Sequence, residues 1–356
     1  MNSSILIGKN YIGKDSPVYF IADIAANHDG SLSKAKELIE MAAEAGAHAA
    51  KFQHFEAGNI VSDIGFSSLG AQFSHQKNWE KSVFETYEDA SISTDWTAEL
   101  KRHCDLYGIT FFSSPYDFEM VDHLDPFVPA HKIGSGDMTW LEIIEYVARK
   151  EKPYLIATGA SDIDDVQRAV NTGLRINPDL ILMQCNTNYT GSLENFHYIN
   201  LCVLNTYRVL YPNLILGLSD HTPGHASVLG AVALGVKVVE KHFTDDKNRK
   251  GPDHAFSMSP VEWREMQQRT IELQYSLGDG VKKVEANERE TAILQRRATR
   301  VRQSLSANHV IQANDLIYLR PCPEGALPPY RSGELLGKKL KMNKNKHDCL
   351  SFDDVF

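Results

Sequence analysis

Eight short apolar runs alternate with amphipathic stretches over the first 280 residues, and this alternation limits the fold more than any other feature. After the first run, apolar residues recur at i, i+3, i+4 and i+7 between Ala35 and Ala42, which is typical of a helix with one buried face. Eight strand–helix units of this size predict an α/β fold, a (β/α)8 TIM barrel. An open doubly wound sheet is the alternative, but no GxGxxG motif follows the first run. The predicted strands are residues 18–24, 48–53, 109–114, 130–135, 153–158, 180–185, 214–219 and 237–243.

The charge of the chain changes near residue 281, which indicates a domain boundary. The whole chain carries 37 Lys and Arg against 46 Asp and Glu, a net charge of −9. Residues 281–356 carry 14 Lys and Arg against 9 Asp and Glu, or +5, so residues 1–280 carry −14. We therefore expect a barrel over 1–280, a linker over 281–297 and a small domain over 298–356. The acidic total argues against nucleic acid as a partner, because a duplex would be repelled at long range.

The cysteines and the N-terminal segment predict a reduced, cytoplasmic protein. The five cysteines include no CxxC pair, so neither a disulfide framework nor a cysteine zinc site is indicated. The apolar run before Lys9 is too short for a signal-peptide core, and no stretch approaches the roughly 20 apolar residues of a membrane span. We therefore expect neither export by a signal peptide nor a membrane partner.

Polar side chains collect at the predicted C-terminal ends of the strands, which is where (β/α)8 enzymes place their chemistry. One polar strand end can be chance, whereas a ring of them is costly to bury without a ligand. We therefore predict a functional site at this end of the barrel. The strand-end residues are Asp23, Lys51, Gln53, Ser113, Ser114, Lys132, Ser135, Thr158, Cys185, Asn186, Ser219, Asp220, His221, Glu240, Lys241 and His242.

Two histidines in this ring predict a metal site. His221 ends the seventh predicted strand and His242 ends the eighth, so the two are neighbours in a closed barrel. Two imidazoles in this arrangement bind a divalent transition metal and leave positions for water or a substrate oxygen. The alternative is that each is a hydrogen-bonded core histidine. Further histidines on this face, at positions 28, 54 and 254, are expected to contact the substrate or the residues around it.

Lys51 and Lys132 lie within apolar strands, where an unpaired ammonium is costly, so each is expected to meet an anion. Together with Ser114 and Ser135 they would form a cradle for phosphate or carboxylate. Two other interpretations stay open. Either lysine could form a Schiff base, as in metal-free aldolases, or could pair with an acidic residue of the ring as a structural ion pair.

Several motifs in this order resemble the sialic acid synthase family, the nonulosonate synthases. The likeness runs from about residue 8 to about residue 350, and the combination of KIGSG, GLSDHT and EKHFT is far more specific than any single motif. The resemblance implies a (β/α)8 barrel followed by a small antifreeze-like (SAF) domain. The motifs are ADIAANHDG (22–30), KFQ (51–53), KIGSGD (132–137), GLSDHT (217–222), EKHFT (240–244), GPDHAFSM (251–258) and LRP (319–321).

The resemblance also implies a reaction, in which phosphoenolpyruvate condenses with the open-chain aldehyde of an N-acylated amino sugar or another aldose. The product is a 2-keto-3-deoxy sugar acid, and phosphate is released. By analogy, His221 and His242 hold Mn²⁺, with Mg²⁺ or Co²⁺ as alternatives. The small domain is implied to reach over the barrel of a partner in a domain-swapped homodimer.

The other roles come from the same resemblance, residue by residue. Catalytic roles fall on Asp23, Lys51, Lys132 and Glu240. Phosphoenolpyruvate is held by Lys51, Ser114, Lys132, Ser135 and Ser219, and the sugar by Gln53, Asn78, Tyr189, Glu240 and Asp253, with Arg320 on its acyl group.

The chain departs from the family pattern at three site positions. Asp23 stands where the family usually has Glu, Ala157 replaces a phosphate-site serine, and Thr187 replaces an asparagine. These departures keep open a non-catalytic sugar-acid binding homologue, and the buried lysines keep open a metal-free lysine aldolase on the same barrel. The long excursion over 60–92 is expected either to carry acceptor specificity or form a lid, or to be a surface insertion with a helix over 79–90.

Overall fold

The computed structural model describes residues 4–69, 76 and 79–356. The chain divides into two compact units, Met1–Gly278 and Asp279–Phe356. The strands of the first unit are β1 (Ile5–Ile7), β2 (Asn10–Ile12), β3 (Tyr19–Asp23), β4 (Ala49–His54), β5 (Thr110–Pro115), β6 (His131–Ile133), β7 (Tyr154–Ala157), β8 (Leu180–Cys185), β9 (Ile215–Asp220) and β10 (Val238–His242). Its helices are α1 (Leu32–Glu44), α2 (Ala57–Ile60), α3 (Asp63–Ser68), α4 (Val83–Ala90), α5 (Thr97–Leu106), α6 (Phe118–Leu124), α7 (Leu141–Ala148), α8 (Ile163–Leu174), α9 (Val203–Leu210), α10 (Ala226–Ala233) and α11 (Pro260–Leu277).

Strands β3 to β10 form the predicted barrel. They pair in parallel in the order β5-β4-β3-β10-β9-β8-β7-β6, and the two end strands of this order lie side by side, which completes the ring. The (β/α)8 prediction is therefore confirmed, and each observed strand overlaps its predicted range.

The helices outside the ring follow the predicted amphipathic pattern. In α1, Ser31 caps the N-terminus by accepting a hydrogen bond from the amide of Lys34, and the helix buries the face from Ala35 to Ala42. Helix α11 begins with Pro260 in its first turn, where a missing amide hydrogen costs nothing, and Ser259 and Glu262 form a capping box. These buried helix faces and the outward strand residues form the larger apolar core.

A hairpin that the sequence analysis did not predict lies before the barrel. Strands β1 and β2 pair antiparallel around a two-residue turn, with Gly8 at a φ of +60°, a value that glycine adopts without strain. Ile5, Ile7 and Ile12 are buried with the apolar residues of the barrel interior, which include Tyr19. The hairpin thus fills the end of the barrel opposite the C-terminal strand ends.

The second unit contains α12 (Arg289–Gln295), which lies within the range predicted as a linker, and strands β11 (Ala298–Val301) and β12 (Leu316–Leu319). The two strands pair antiparallel, and isolated bridges join much of the remaining chain. Its own apolar core is formed by Val301, Leu305, Ile311, Leu316, Leu327, Leu335, Leu340, Leu350 and Val355. In the described part of the chain, no helix has both the length and the apolar character needed to cross a membrane.

Candidate active site

Strand alternation decides which strand-end residues share the interior of the barrel. Along β10, Val238 lies in the interior core and Glu240 and His242 line the cavity above it, whereas Lys241 between them faces outward to Asp220. The register aligns His242 with Asp23, and Asp23 with Lys51. The inward polar residues therefore form one layer above the apolar interior.

This layer surrounds a cavity of about 310 Å³, which we call the inner cavity. Most of the predicted site residues line it. Those residues are Asp23, Lys51, Gln53, Ser114, Lys132, Ser135, Tyr189, Ser219, His221, Glu240 and His242, and the remaining lining residues are Ile60, Tyr87, Tyr116, Gly134, Gly136, Asp137, Ala157 and Cys185.

Two lysines and two carboxylates form a buried network at the floor of the inner cavity. Nζ of Lys51 lies 2.5 Å from Oδ2 of Asp23 and 3.8 Å from Oε1 of Glu240. Nζ of Lys132 donates to the same Oε1 at 2.9 Å, and the hydroxyl of Ser219 donates to it at 3.2 Å. Glu240 therefore holds two ammonium groups and a hydroxyl at one oxygen. Its other oxygen, Oε2, is buried without a hydrogen-bond partner among the described residues and is available to a ligand.

The two carboxylates of this network differ in proton affinity. Burial raises the pKa of Asp23, and the Glu240 carboxylate adds to that rise against the lowering effect of Lys51. Burial also opposes ionisation of Glu240, but the ammonium groups of Lys132 and Lys51 outweigh it and hold the pKa well below its usual value. Glu240 is thus the permanent anion, and Asp23 is the carboxyl that takes up a proton more readily.

His221 and His242 lie against each other at the rim, with ring centroids 5.3 Å apart. Burial lowers the pKa of each to about 3, and the neighbouring charges contribute, His242 for the first and Lys51 for the second. Both imidazoles are therefore neutral near pH 7, which is the state that binds a metal.

Their hydrogen bonds also fit a metal ligand pair. Nδ1 of His221 is 2.9 Å from the carbonyl oxygen of Asn186, and this geometry requires Nδ1 to donate, so Nε2 keeps its lone pair. Nδ1 of His242 is buried with no hydrogen-bond partner among the described residues. Within the described ranges, no group of three or more His, Cys, Asp or Glu side chains is arranged as a set of metal ligands.

A second cavity of about 180 Å³, the outer cavity, adjoins the first and shares six lining residues with it, among them Gln53, Tyr189 and His242. Asp253 lines it, accepts a hydrogen bond of 3.1 Å from the amide of Ala26 and lies 4.0 Å from Nδ1 of His242. Burial raises the pKa of Asp253 to about 7. The other lining residues are Ala26, Phe55, Ile60, Gln76, Trp79, Thr86, Tyr87, Ala90, Tyr116 and Pro252.

The excursion over 60–92 forms one wall of the outer cavity. Thr86, Tyr87 and Ala90 of α4 face it, together with Ile60 and Trp79. The helix begins at a capping box between Ser82 and Glu85, which lies within the segment where the sequence indicated a helix.

Some predicted site residues lie elsewhere. Asn78 is outside the described residues, and Arg320 is exposed in the second unit. None of the three further histidines lines either cavity. His54 contacts Ser113 and a helix residue behind the strands, His28 packs on Trp96, and His254 bonds to Asp29 and Thr244.

Sequence reasoning missed Tyr87, Tyr116 and Asp137, which line the inner cavity. Tyr116 directly follows β5, so its strand-end position was a usable signal. Asp137 closes the KIGSGD motif, and burial raises its pKa to about 6. Tyr87 had no such signal, because only the fold of the excursion brings α4 to the cavity.

Comparisons with known proteins show which family the chain belongs to. The model of the NeuB family matches residues 38–282. The chain is 32% identical to N,N'-diacetyllegionaminic acid synthase of Legionella pneumophila, over 96% of each chain. It is 34% identical to human N-acetylneuraminate-9-phosphate synthase over 275 residues, 77% of this chain and 75% of the human protein.

A solved structure has the same fold. The N-acetylneuraminic acid (sialic acid) synthetase of Leptospira borgpetersenii superposes with a TM-score of 0.71 at 27% identity, covering 82% of this chain and 95% of that one. The match to the family model extends over more than half of the chain. The chain therefore belongs to the NeuB family, the family of the sialic acid synthases.

Proposed function

We propose that this protein is a nonulosonic acid synthase, which condenses phosphoenolpyruvate with the aldehyde of an aldose, most simply an N-acylated amino sugar. C3 of phosphoenolpyruvate bonds to the aldehyde carbon, water adds at C2, and phosphate leaves by carbon–oxygen cleavage to give a 2-keto-3-deoxy sugar acid. The observation that carries the proposal is the pair of buried lysines in the same cavity as two neutral, adjacent histidines. The Legionella and human relatives are named as synthases of such acids.

The inner cavity suits the anionic substrate. Lys51 and Lys132 reach it from neighbouring sides, and Ser114, Ser135 and Ser219 add hydroxyl groups. The carboxylate and phosphate of phosphoenolpyruvate would compete with Asp23 and Glu240 for the two ammonium groups.

His221 and His242 would hold the divalent cation, Mn²⁺ with Mg²⁺ or Co²⁺ as alternatives, and the neutral rings and the unpartnered Nδ1 of His242 fit that role. A cation at this position supplies Lewis-acid polarisation of the aldehyde oxygen. The protein's part is to hold the two imidazoles within reach of both cavities, since His242 lines each of them.

Proton handling falls to Asp23, whose Oδ2 lies near Lys51 and 3.6 Å from Nε2 of His242. In this position it can take a proton from the water that adds at C2. Glu240 stays ionised and fixes both lysines. On the acceptor side, Gln53, Tyr189 and Asp253 line the outer cavity, and Asn78 and Arg320 are proposed to join them, Arg320 from a partner subunit.

A Schiff-base aldolase fits this network less well. Burial disfavours the Lys51 ammonium, but the carboxylates of Asp23 and Glu240 outweigh burial, so the pKa of Lys51 is raised. A Schiff base requires the neutral amine, which this environment opposes. Lys132 is held by Glu240 at 2.9 Å.

The test is a phosphate-release assay with phosphoenolpyruvate, Mn²⁺ and a panel of aldoses, with the product mass measured. We expect release that requires both the aldose and the cation. His221→Gln should abolish it, whereas His197→Gln, at an exposed position, should not. Pyruvate trapped by borohydride on Lys51 or Lys132, with activity retained in a chelator, would establish the aldolase instead. A protein that binds sugar acids but releases no phosphate would be a non-catalytic homologue.

A further inference from the structure

Two loops meet at one wall of the outer cavity. The loop over 24–30 follows β3 and contributes Ala26, and the loop over 243–258 follows β10 and contributes Pro252 and Asp253. Oδ2 of Asp253 accepts a hydrogen bond of 3.1 Å from the amide of Ala26 and so bridges the two loops. The position of the Asp253 carboxylate therefore depends on how the two loops are held together.

His254, the next residue, joins the same two loops and is fully buried. Its Nε2 lies 3.0 Å from Oδ1 of Asp29, and its Nδ1 lies 2.7 Å from the hydroxyl oxygen of Thr244. A carboxylate only accepts, so Nε2 donates to Asp29, and Nδ1 of the neutral ring then accepts from Thr244. A Cβ at Gly251 would lie 2.6 Å from Cδ2 of His254, so the loop after β10 packs directly on the ring.

Asp29 extends this link to the protein surface. Its other oxygen, Oδ2, lies 2.9 Å from Nη2 of Arg249, which belongs to the loop after β10 as well. The backbone of Asp29 has a φ of +49°, a left-handed conformation that aspartate adopts more readily than most residues. One carboxylate thus ties the loop after β3 to the loop after β10 at two points.

A second link reaches the main chain of Asp253. Nδ2 of Asn27 donates to the carbonyl of Phe243 and to the hydroxyl of Ser257, each at 2.9 Å. The hydroxyl of Ser257 in turn donates to the carbonyl oxygen of Asp253 at 2.6 Å. Asp253 is therefore held through its main chain by this link and flanked by the His254 link at the next residue.

We propose that His254 is a positioning residue, which holds the two loops together and so directs the Asp253 carboxylate into the outer cavity. This rests on the proposed function, in which Asp253 contacts the acceptor sugar. His254 itself lines neither cavity, so its effect on the acceptor passes through its neighbour. It differs from a histidine that only stabilises the fold, because its bond to Asp29 crosses between the two loops that form the cavity wall.

The test compares His254→Leu, which removes both hydrogen bonds of the ring, with His254→Gln, whose amide can donate to Asp29. Phosphate release is measured with phosphoenolpyruvate, Mn²⁺ and either N-acetylmannosamine or a 6-deoxy diacetamido hexose, whichever reacts faster. In His254→Leu, KM for the sugar should rise about tenfold, as expected for a lost hydrogen bond to a charged group, and kcat and KM for phosphoenolpyruvate should stay within about threefold. His254→Gln should recover most of the sugar affinity. An unchanged KM for the sugar in His254→Leu would overturn the proposal.

His131 supplies a matched control. It is also fully buried and bonds through Nε2 to a partly exposed carboxylate at 3.0 Å, that of Asp125, and neither residue lines the cavities. His131→Leu should lower stability in urea unfolding, as His254→Leu does, and leave KM for the sugar unchanged. An equal rise in that KM in His131→Leu would overturn the proposal, because the effect would then follow from destabilisation alone.

A double-mutant cycle tests whether His254 acts through Asp253. If it does, His254→Leu should change the affinity for the sugar by less than about twofold in an Asp253→Ala background. Calorimetry in the presence of Mn²⁺ supplies these affinities where turnover is too slow to measure. Equal effects of His254→Leu with and without the Asp253 carboxylate would overturn the proposal.

Hydrogen exchange of the free protein gives a readout that needs no turnover. The amide of Ala26 donates to Asp253, so the segment over 24–30 should exchange about tenfold faster in His254→Leu and not in His131→Leu. Should His254→Leu not fold, Asp29→Gly removes the same bond at a partly exposed residue whose φ suits glycine, and it should have the same effect. Unchanged exchange would overturn the proposal even if the sugars react. If no sugar supports phosphate release, the proposed function fails, and exchange still decides whether His254 positions Asp253.

Discussion

Oδ2 of Asp220 lies 2.5 Å from Nζ of Lys241 in an ion pair of which both side chains are at most 1% exposed. Asp220 also accepts hydrogen bonds from Thr222 and Ser227, and Lys241 donates to the carbonyl of Thr222. Each member of the pair directly precedes one of the two site histidines. The pair therefore links the ends of β9 and β10 on the outer side of the strands, and we expect it to position His221 and His242.

Lys241→Met should destabilise the protein and weaken Mn²⁺ binding together. It leaves the Asp220 carboxylate buried without its counter-charge, which costs about 3–5 kcal/mol. Urea unfolding followed by tryptophan fluorescence measures the stability, and calorimetry measures the affinity for Mn²⁺. Lys81→Met, which breaks an exposed pair, is the control and should change neither. Normal Mn²⁺ affinity in folded Lys241→Met would show that the pair does not position the histidines.

Asp23→Glu should lower kcat although it restores the residue usual in the family. Asp23 is 2% exposed and has Lys51 at 2.5 Å and Gln53 at 3.4 Å, so an added methylene moves the carboxylate by about 1 Å relative to both partners. We expect kcat to fall about tenfold to a hundredfold at saturating substrates, with a smaller change in KM for phosphoenolpyruvate. Asp122→Glu, at an exposed ion pair, is the matched control. A rise in kcat in Asp23→Glu would instead indicate that the protein lost catalytic activity when Asp replaced Glu at this position.

Ala157→Ser should improve binding of phosphoenolpyruvate. Ala157 ends β7 and lines the inner cavity, where a hydroxyl could donate to the phosphate. One added hydrogen bond contributes about 0.5–1.5 kcal/mol, so KM for phosphoenolpyruvate should fall about threefold to tenfold in steady-state assays. Ala157→Val adds bulk without a donor and should raise KM. An unchanged or raised KM in Ala157→Ser would place the phosphate away from β7.

The barrel could be predicted from the sequence because each strand is a short apolar run between helical stretches. Once the barrel is predicted, strand-end residues such as His242 and Asp23 are expected at the same edge of the ring. The hairpin of β1 and β2 escaped prediction, since its strands have three residues each and their apolar residues gain partners only from the barrel interior.

Within the site, which side of a strand a residue faces was the harder question. Gln53 and His54 are adjacent on β4, yet only Gln53 lines the inner cavity. The alternation of buried polar and apolar residues does not distinguish the two faces when both are covered. Which alternate residues face the barrel interior becomes clear only from the register with the neighbouring strands.

His54 should make the protein less stable as the pH falls below about 6.5. Burial lowers its pKa from 6.5 to about 3, and the positive charges of His123 and His28 add to the effect. Between those two pH values the unfolded chain binds a proton that the folded chain does not, so stability falls by up to about 1.4 kcal/mol per pH unit. The free-energy advantage of the unmodified protein over His54→Gln should therefore shrink from pH 7 to pH 4 in urea unfolding. A constant difference over that range would contradict the prediction, and His197→Gln serves as the exposed control.

Subunit complementation tests whether the second unit serves a partner's barrel. His242→Gln disables the barrel site of its own chain, and Arg320→Ala removes the proposed acceptor contact from the second unit. In a domain-swapped dimer, a mixed dimer of these variants has one site with both residues intact. Co-expression at equal levels should then restore about a quarter of the unmodified activity at low acceptor concentration, because half of the dimers are mixed and each has one complete site. Co-expression of His242→Gln with His221→Gln leaves every barrel with a substituted histidine, so it should restore no activity. Activity no higher than that of the Arg320→Ala chains alone would show that each second unit serves its own barrel or none.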